Sequence, residues 1–191
     1  MTNIIIYLIG FAGVGKLTIA KELSSHIHAR IIDNHLINNS ILNLIPLDGK
    51  TPIPKTVWEK IAQIREIVFT TIEEISPHDF NFIFTNELLE SSQQDKDVYQ
   101  RVAAIAQKRR SLFVPIRLVC DLDELCKRVS LEERAAHYKM TSIESTKEKY
   151  AKESLFTPEH PLTQTIDVTR LSAQETVEQI VTLLKKYYAH C

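Results

Sequence analysis

Gly10-Phe11-Ala12-Gly13-Val14-Gly15-Lys16-Leu17-Thr18 follows directly on the apolar run Ile4-Ile5-Ile6-Tyr7-Leu8-Ile9, and the pair decides the fold. The chain has only four glycines, and three of them stand between Gly10 and Gly15. Glycine lets a backbone turn tightly and bring its N–H groups against a ligand. The spacing Gly-x4-Gly-Lys is a phosphate-binding loop pattern: loop N–H groups and a helix N-terminus surround phosphate oxygens, and Lys16 adds a mobile cation. Its context agrees. A continuous β-branched apolar run reads as a buried parallel strand. After Lys16, apolar residues at Ile19, Ala20, Leu23 and Ile27 form one face of a helix.

Working outward, Arg30–Asp33 reads as a second strand ending on a carboxylate, and Asn34-His35 open a helical stretch to about Asn43. Pro46, Pro52 and Pro54, with Gly49, mark a loop. Val57, Trp58, Ile61, Ile64, Val68, Ile72 and Ile75 recur at helical spacing, giving a long amphipathic helix over 55–75 that Pro77 ends. Phe80–Thr85 is a third strand and 95–110 a helix, with Lys108-Arg109-Arg110 at its negative dipole end. Leu112–Cys120 is a fourth strand, and Pro115 predicts that its first residues lie outside the ladder. Asp121 and Glu124 stand in capping-box spacing at the head of a helix to Val129, and a polar helix spans 143–154. Leu162–Val168 holds a fifth strand, and Ser172 and Glu175 form a capping box for the last helix. Strands alternating with helices predict an α/β fold: a three-layer, doubly wound arrangement around a five-stranded parallel sheet, as one domain over 1–191.

Composition bounds the function. With 44% hydrophobic and 25% charged residues and a net charge of −1, the chain reads as a globular domain without an electrostatic case for nucleic acid or an anionic membrane. Cys120, Cys126 and Cys191 lack metal-ligand spacing and read as thiols of a reducing cytosol, with a Cys120–Cys126 redox pair as the alternative. The N-terminal apolar run is too short to span a membrane and has no basic flank, so the expected location is cytoplasmic. Oligomeric state is not legible.

Ligands of open parallel sheets bind at the carboxyl ends of the strands, which ranks the polar residues by position. Asp33 is the acid–base candidate: its carboxylate can position or deprotonate an acceptor hydroxyl, or hold a water on Mg²⁺, although Asp33-Asn34 also suits a helix cap. His35 stands beside it as an acceptor contact. Glu87 follows the third strand where a metal-shell acid can sit, displaced behind Thr85 and Asn86, which can instead satisfy loop N–H groups. Lys127, Arg128 and Arg134 flank a charged stretch after the fourth strand. Guanidinium forks suit the charge that develops in phosphoryl transfer. On one uninterrupted helix Arg128 and Arg134 face apart, so their joint use requires a bend there, as in a lid over about 130–141. Arg65 can meet an anionic acceptor and Trp58 can pack on a ring.

Gly-x-x-Gly-x-Gly-Lys-x-Thr, with Leu17 where many phosphate-binding loops place a hydroxyl and Thr18 one residue later, resembles the P-loop of adenylate kinase and related small-molecule kinases. Asp121-x-x-Glu124-Leu125-x-x-Arg128-Val129 with Arg134, and Ile166-Asp167-Val168-Thr169 before a terminal helix, resemble further segments of the adenylate and shikimate kinase-like group. The resemblance implies a P-loop NTPase fold with strand order 2-3-1-4-5, a helical acceptor region over about 34–78 and a short lid. It implies ATP and Mg²⁺ as cofactors, with the metal held largely through water near Thr18 and Asp33, and a small-molecule acceptor. It further implies that Gly10, Ala12, Gly13, Val14, Gly15, Lys16, Leu17 and Thr18 bind the nucleotide phosphates, and that Thr169 and Arg170 flank the adenine. Lys16, Asp33, Arg128 and Arg134 then carry catalysis, with Asn34, His35, Arg65, Asn86 and Glu87 on the acceptor side. The rival reading is a nucleotide-binding or ATPase module without an acceptor.

Overall fold

The computed structural model describes residues 1–47, 51–130 and 142–189. Five parallel strands, β1 (Ile4–Ile9), β2 (Ala29–Asp33), β3 (Asn81–Asn86), β4 (Leu112–Val119) and β5 (Gln164–Asp167), form one sheet in the order β2-β3-β1-β4-β5. The helices are α1 (Lys16–Ile27), α2 (Asn34–Leu42), α3 (Lys55–Glu74), α4 (Gln93–Arg109), α5 (Leu122–Val129), α6 (Ile143–Lys152) and α7 (Ala173–Tyr188).

Strand β1 is central, and its side chains alternate between two cores. Ile4, Ile6 and Leu8 pack with Leu23 of α1 and with Val177, Ile180 and Leu184 of α7. Ile5, Tyr7 and Ile9 pack on the opposite face with Phe69 and Ile72 of α3 and with Val102 and Ile105 of α4. A strand covered on both faces has no reason to alternate polar and apolar residues, which is why all six of its residues are apolar. The expected three layers and strand order are therefore present. None of the helices among the described residues is long and apolar enough to cross a membrane.

Several local expectations are corrected. Strand β3 starts at Asn81 rather than Phe80. Asn81 is buried and anchors the strand start: its Oδ1 accepts from Ile4 N–H at 2.9 Å, and its Nδ2 donates to Ile27 O at 2.7 Å. Phe80, just outside, lies under the Arg30 guanidinium. Pro115 is inside the β4 ladder, opposite Tyr7 of β1. The pairing of β4 with β5 begins one residue later, at Ile116 with Gln164, so a missing N–H on that side breaks no ladder bond. In α3, Ile61 and Ile72 are buried as the periodicity requires, but Ile75 is 76% exposed and Trp58 is 37% exposed. Phe69 joins Ile72 in the buried core against β1 and β3, while Ile75 stands just beyond the helix end.

Several charged residues at helix ends take partners other than those their spacing suggests. Arg109 does not complement its own helix end. It is buried and donates to Ile72 O, Ser76 O and Pro77 O at 2.6, 2.9 and 2.7 Å, closing the carbonyl end of α3. Lys108 instead pairs with Glu73, which also takes Arg101. Asp121 holds the N-cap position of α5 without a side-chain cap bond, and Glu124 turns to Arg128 at 2.9 Å. The capping box is formed at Ser172 and Glu175 of α7. Cys120 and Cys126 are buried free thiols, so the redox pair is not formed, and burial pushes the Cys120 thiol up.

Arg109→Ala leaves three carbonyls without their donor and an empty space beside Phe82. Its expected cost is about 3 kcal/mol in denaturant unfolding, and Arg109→Lys, which lacks the planar fork, recovers only part of it.

Candidate active site

The glycine loop leaves β1 where the sheet reverses its winding, and its shape is set by close packing. A Cβ on Gly10 would stand 2.9 Å from Leu118 O of β4 and 2.7 Å from Val14 Cγ1. Gly13 has φ +97°, and a Cβ there would meet Val129 Cγ2 of α5 at 2.6 Å. Gly15 has φ +102° and is the N-cap of α1, where no side chain caps the first turn. The first-turn N–H groups of α1 therefore keep their anion-binding character.

These residues open onto a cavity of about 330 Å³ at the carboxyl ends of β1, β2 and β3. Ala12, Gly13, Gly15, Lys16, Leu17 and Thr18 form its loop side. Asp33, Asn34 and His35 line it from the β2–α2 junction, Asn86 and Glu87 from the end of β3. Most of the predicted site residues are thus brought together. Gly10 and Val14 shape the loop from beneath: Gly10 N–H donates to Asn86 O at 3.2 Å, and Val14 is buried.

Lys16 folds along the loop, its ammonium donating to Gly10 O at 2.6 Å and Phe11 O at 3.0 Å. Asp33 occupies the N-cap position of α2 but makes no side-chain cap bond. Its buried carboxylate instead accepts the Thr85 hydroxyl of the neighbouring strand at 2.5 Å. The Thr85 hydroxyl is therefore spent on Asp33, not on loop N–H groups. Glu87 accepts from Ala12 N–H at 3.3 Å and from the Lys149 ammonium of α6 at 3.0 Å, which ties the loop to that helix. Tyr150, next on α6, packs on Phe11 and donates to Cys120 O at 3.2 Å.

Arg128, Thr169 and Arg170 are not on the cavity wall. Arg128 braces the loop from behind, donating to Val14 O at 3.2 Å and to Val168 O at 2.8 Å. Thr169 donates its hydroxyl and N–H to Asp167 and accepts from Asp121 N–H at 2.9 Å. The two Thr169 donors hold the Asp167 carboxyl below the usual carboxylate range. Arg170 is exposed on the same turn. Arg134 and, apart from Ser130, the expected lid over about 130–141 lie outside the described residues.

A second cavity of about 260 Å³ adjoins the first and shares Asn34, Asn38, Asn86 and Glu87 with it. Arg65 and Trp58 of α3 line it, as does Asp95 of α4. Arg65 donates to Asn34 Oδ1 and Asn38 Oδ1, each at 3.3 Å, and burial lowers its pKa. Asn38 and Lys149 escaped the sequence reading. Asn38 lies four residues after Asn34, the same-face spacing of a helix, which was a usable signal. Lys149 reaches Glu87 across 62 positions of sequence, and no local pattern announces that contact.

The glycine loop, strand order and covering helices define a P-loop protein of the α/β class. Its architecture is that of the P-loop kinases. The chain superposes on a sugar kinase from Janibacter sp. HTCC2649 with a TM-score of 0.62, 16% identity, and coverage of 96% of this chain and 95% of the other. It superposes on a gluconokinase from Sinorhizobium meliloti 1021 with a TM-score of 0.60, 16% identity, and coverage of 97% and 94%. For the shikimate kinase of Aquifex aeolicus the TM-score is 0.55, with 14% identity and coverage of 97% and 99%. No protein-family model and no curated protein matches the sequence.

Gly13→Ala tests the loop. The methyl group must displace Val129, and the residue must keep a positive φ, so unfolding by denaturant should show a loss of at least about 1–2 kcal/mol.

Proposed function

We propose that this protein transfers a phosphoryl group from ATP, with Mg²⁺, to a hydroxyl of a small-molecule acceptor. The observation that carries the reading is a pair of adjoining cavities: in one the phosphate-binding loop and Lys16 stand with the buried Asp33 carboxylate, and the other, which shares Asn34, Asn38, Asn86 and Glu87 with it, reaches Trp58 and Arg65. The sugar, gluconate and shikimate kinases that share the fold act on small molecules, which supports the same class here.

The residues present fit both groups. Uncapped N–H groups at the start of α1, glycines at positive φ and the Lys16 ammonium form a donor set for a polyphosphate. Asp33 and Glu87 carboxylates with the exposed Thr18 hydroxyl supply hard oxygen donors, suited to Mg²⁺ held mostly through water. Bound Mg²⁺–ATP supplies the phosphoryl group and neutralises part of its charge.

The protein's own work is positioning and charge placement. Lys16 leaves the Gly10 and Phe11 carbonyls to meet the outer phosphates. Asp33, oriented by Thr85, accepts the proton of the acceptor hydroxyl. Asn34, His35, Asn38 and Asn86 hold the acceptor against it, over the helical region 34–78. Arg128 keeps the loop in shape through Val14 and holds the turn carrying Thr169 and Arg170, which flanks the adenine. Arg134 completes the charge stabilisation.

Lys16→Ala should abolish ATP turnover while leaving the thermal unfolding midpoint nearly unchanged; retained turnover would remove its role. Asp33→Asn should lower acceptor-dependent ADP release by about 100-fold or more with ATP affinity retained. The module reading predicts the opposite pattern in a coupled ADP assay: slow release that no acceptor accelerates.

A further inference from the structure

The second cavity, which the phosphotransfer reading assigns to the acceptor, also bears on what that acceptor is. Arginine has only donors, so the atoms of Asn34 and Asn38 that face Arg65 are their carbonyl oxygens. This fixes both carboxamides and leaves their amide N–H groups for the cavities they line. Arg65 orients both carboxamides through one terminal nitrogen, Nη2, while its Nε is buried without a hydrogen-bond partner among the described residues.

The charges around the cavity point the same way. Asp95 and Glu87 both line it. Burial pushes the Asp95 carboxyl up, and the Glu87 charge adds to that rise. The Lys149 ammonium is committed to Glu87 at 3.0 Å. A dianionic phosphomonoester entering here would approach two carboxylates. Carboxamide N–H donors and a carboxylate acceptor instead match hydroxyl groups, which both donate and accept.

Size and shape add a third constraint. The cavity is small, about 260 Å³, and borders the space of about 330 Å³ beside the phosphate loop. Trp58 contributes a 37% exposed indole to its wall, a flat apolar surface for the C–H face of a ring. We propose that the acceptor is an uncharged, polyhydroxylated single-ring compound, of the sugar or cyclic polyol class, held by Asn34, Asn38 and Asp95 against Trp58. This rests on the phosphotransfer reading of the site.

The test is acceptor-dependent ADP release by the full chain, with ATP binding measured separately by titration calorimetry. Three acceptor sets are compared: uncharged monosaccharides and cyclitols, sugar acids, and nucleoside monophosphates. Release stimulated by a member of the first set, with the other two at least tenfold less effective in kcat/KM, is the expected result. Stimulation chiefly by nucleotides or sugar acids overturns the acceptor class and leaves phosphotransfer standing. ATP binding with no stimulation by any set overturns both. With the acceptor found, Asn38→Leu and Trp58→Ala should each raise its KM at least tenfold and leave the KM for ATP unchanged. Equal effects on both KM values would show a structural role and remove these residues from the acceptor contact.

Discussion

Between Gly10 and Gly15 the backbone runs so close to β4 and α5 that no side chain fits at Gly10 or Gly13. The rest of the structure is arranged to hold that approach. β1 is locked between β3 and β4 along its whole length, so the loop begins from a fixed point. Val14 is buried against the core that α1 and α7 share, so the loop cannot lift without exposing it. Such a loop is preorganised: its donors are positioned before a ligand arrives, so little ordering remains to oppose binding.

Polar contacts brace the loop from three directions. Gly10 N–H is held by the end of β3, Ala12 N–H by Glu87, and Val14 O by Arg128. Glu87 carries the brace to α6 through Lys149, while Arg128 carries it to the turn after β5. Elements distant in sequence therefore meet at one loop.

The Asp33–Thr85 bond shows how the site borrows from the sheet. Parallel pairing of β2 and β3 sets Asp33 opposite Thr85, and their side chains meet where the strands end. A buried carboxylate needs a donor, and the neighbouring strand supplies one without using the helix cap. The capping preference of Asp was a sound local argument, but a short hydrogen bond from the next strand outweighed it. The same competition decided Glu124, which chose Arg128 over a cap, and Arg109, which chose the end of another helix over its own.

The sequence by itself determined the parallel sheet, the loop and most of the cavity wall. Those features rest on short-range regularities: an apolar run, glycines at fixed spacing, a helical period, and the rule that ligands meet strand ends. Only the tertiary structure decided which partner each polar side chain takes. It alone turned Arg65 into a brace for Asn34 and Asn38, joined Lys149 to Glu87, and kept Pro115 inside a ladder whose outer partner starts one residue later. The physical reason is that a charged or hydrogen-bonding group pairs with whatever the fold brings within about 3 Å, and sequence separation does not enter that choice.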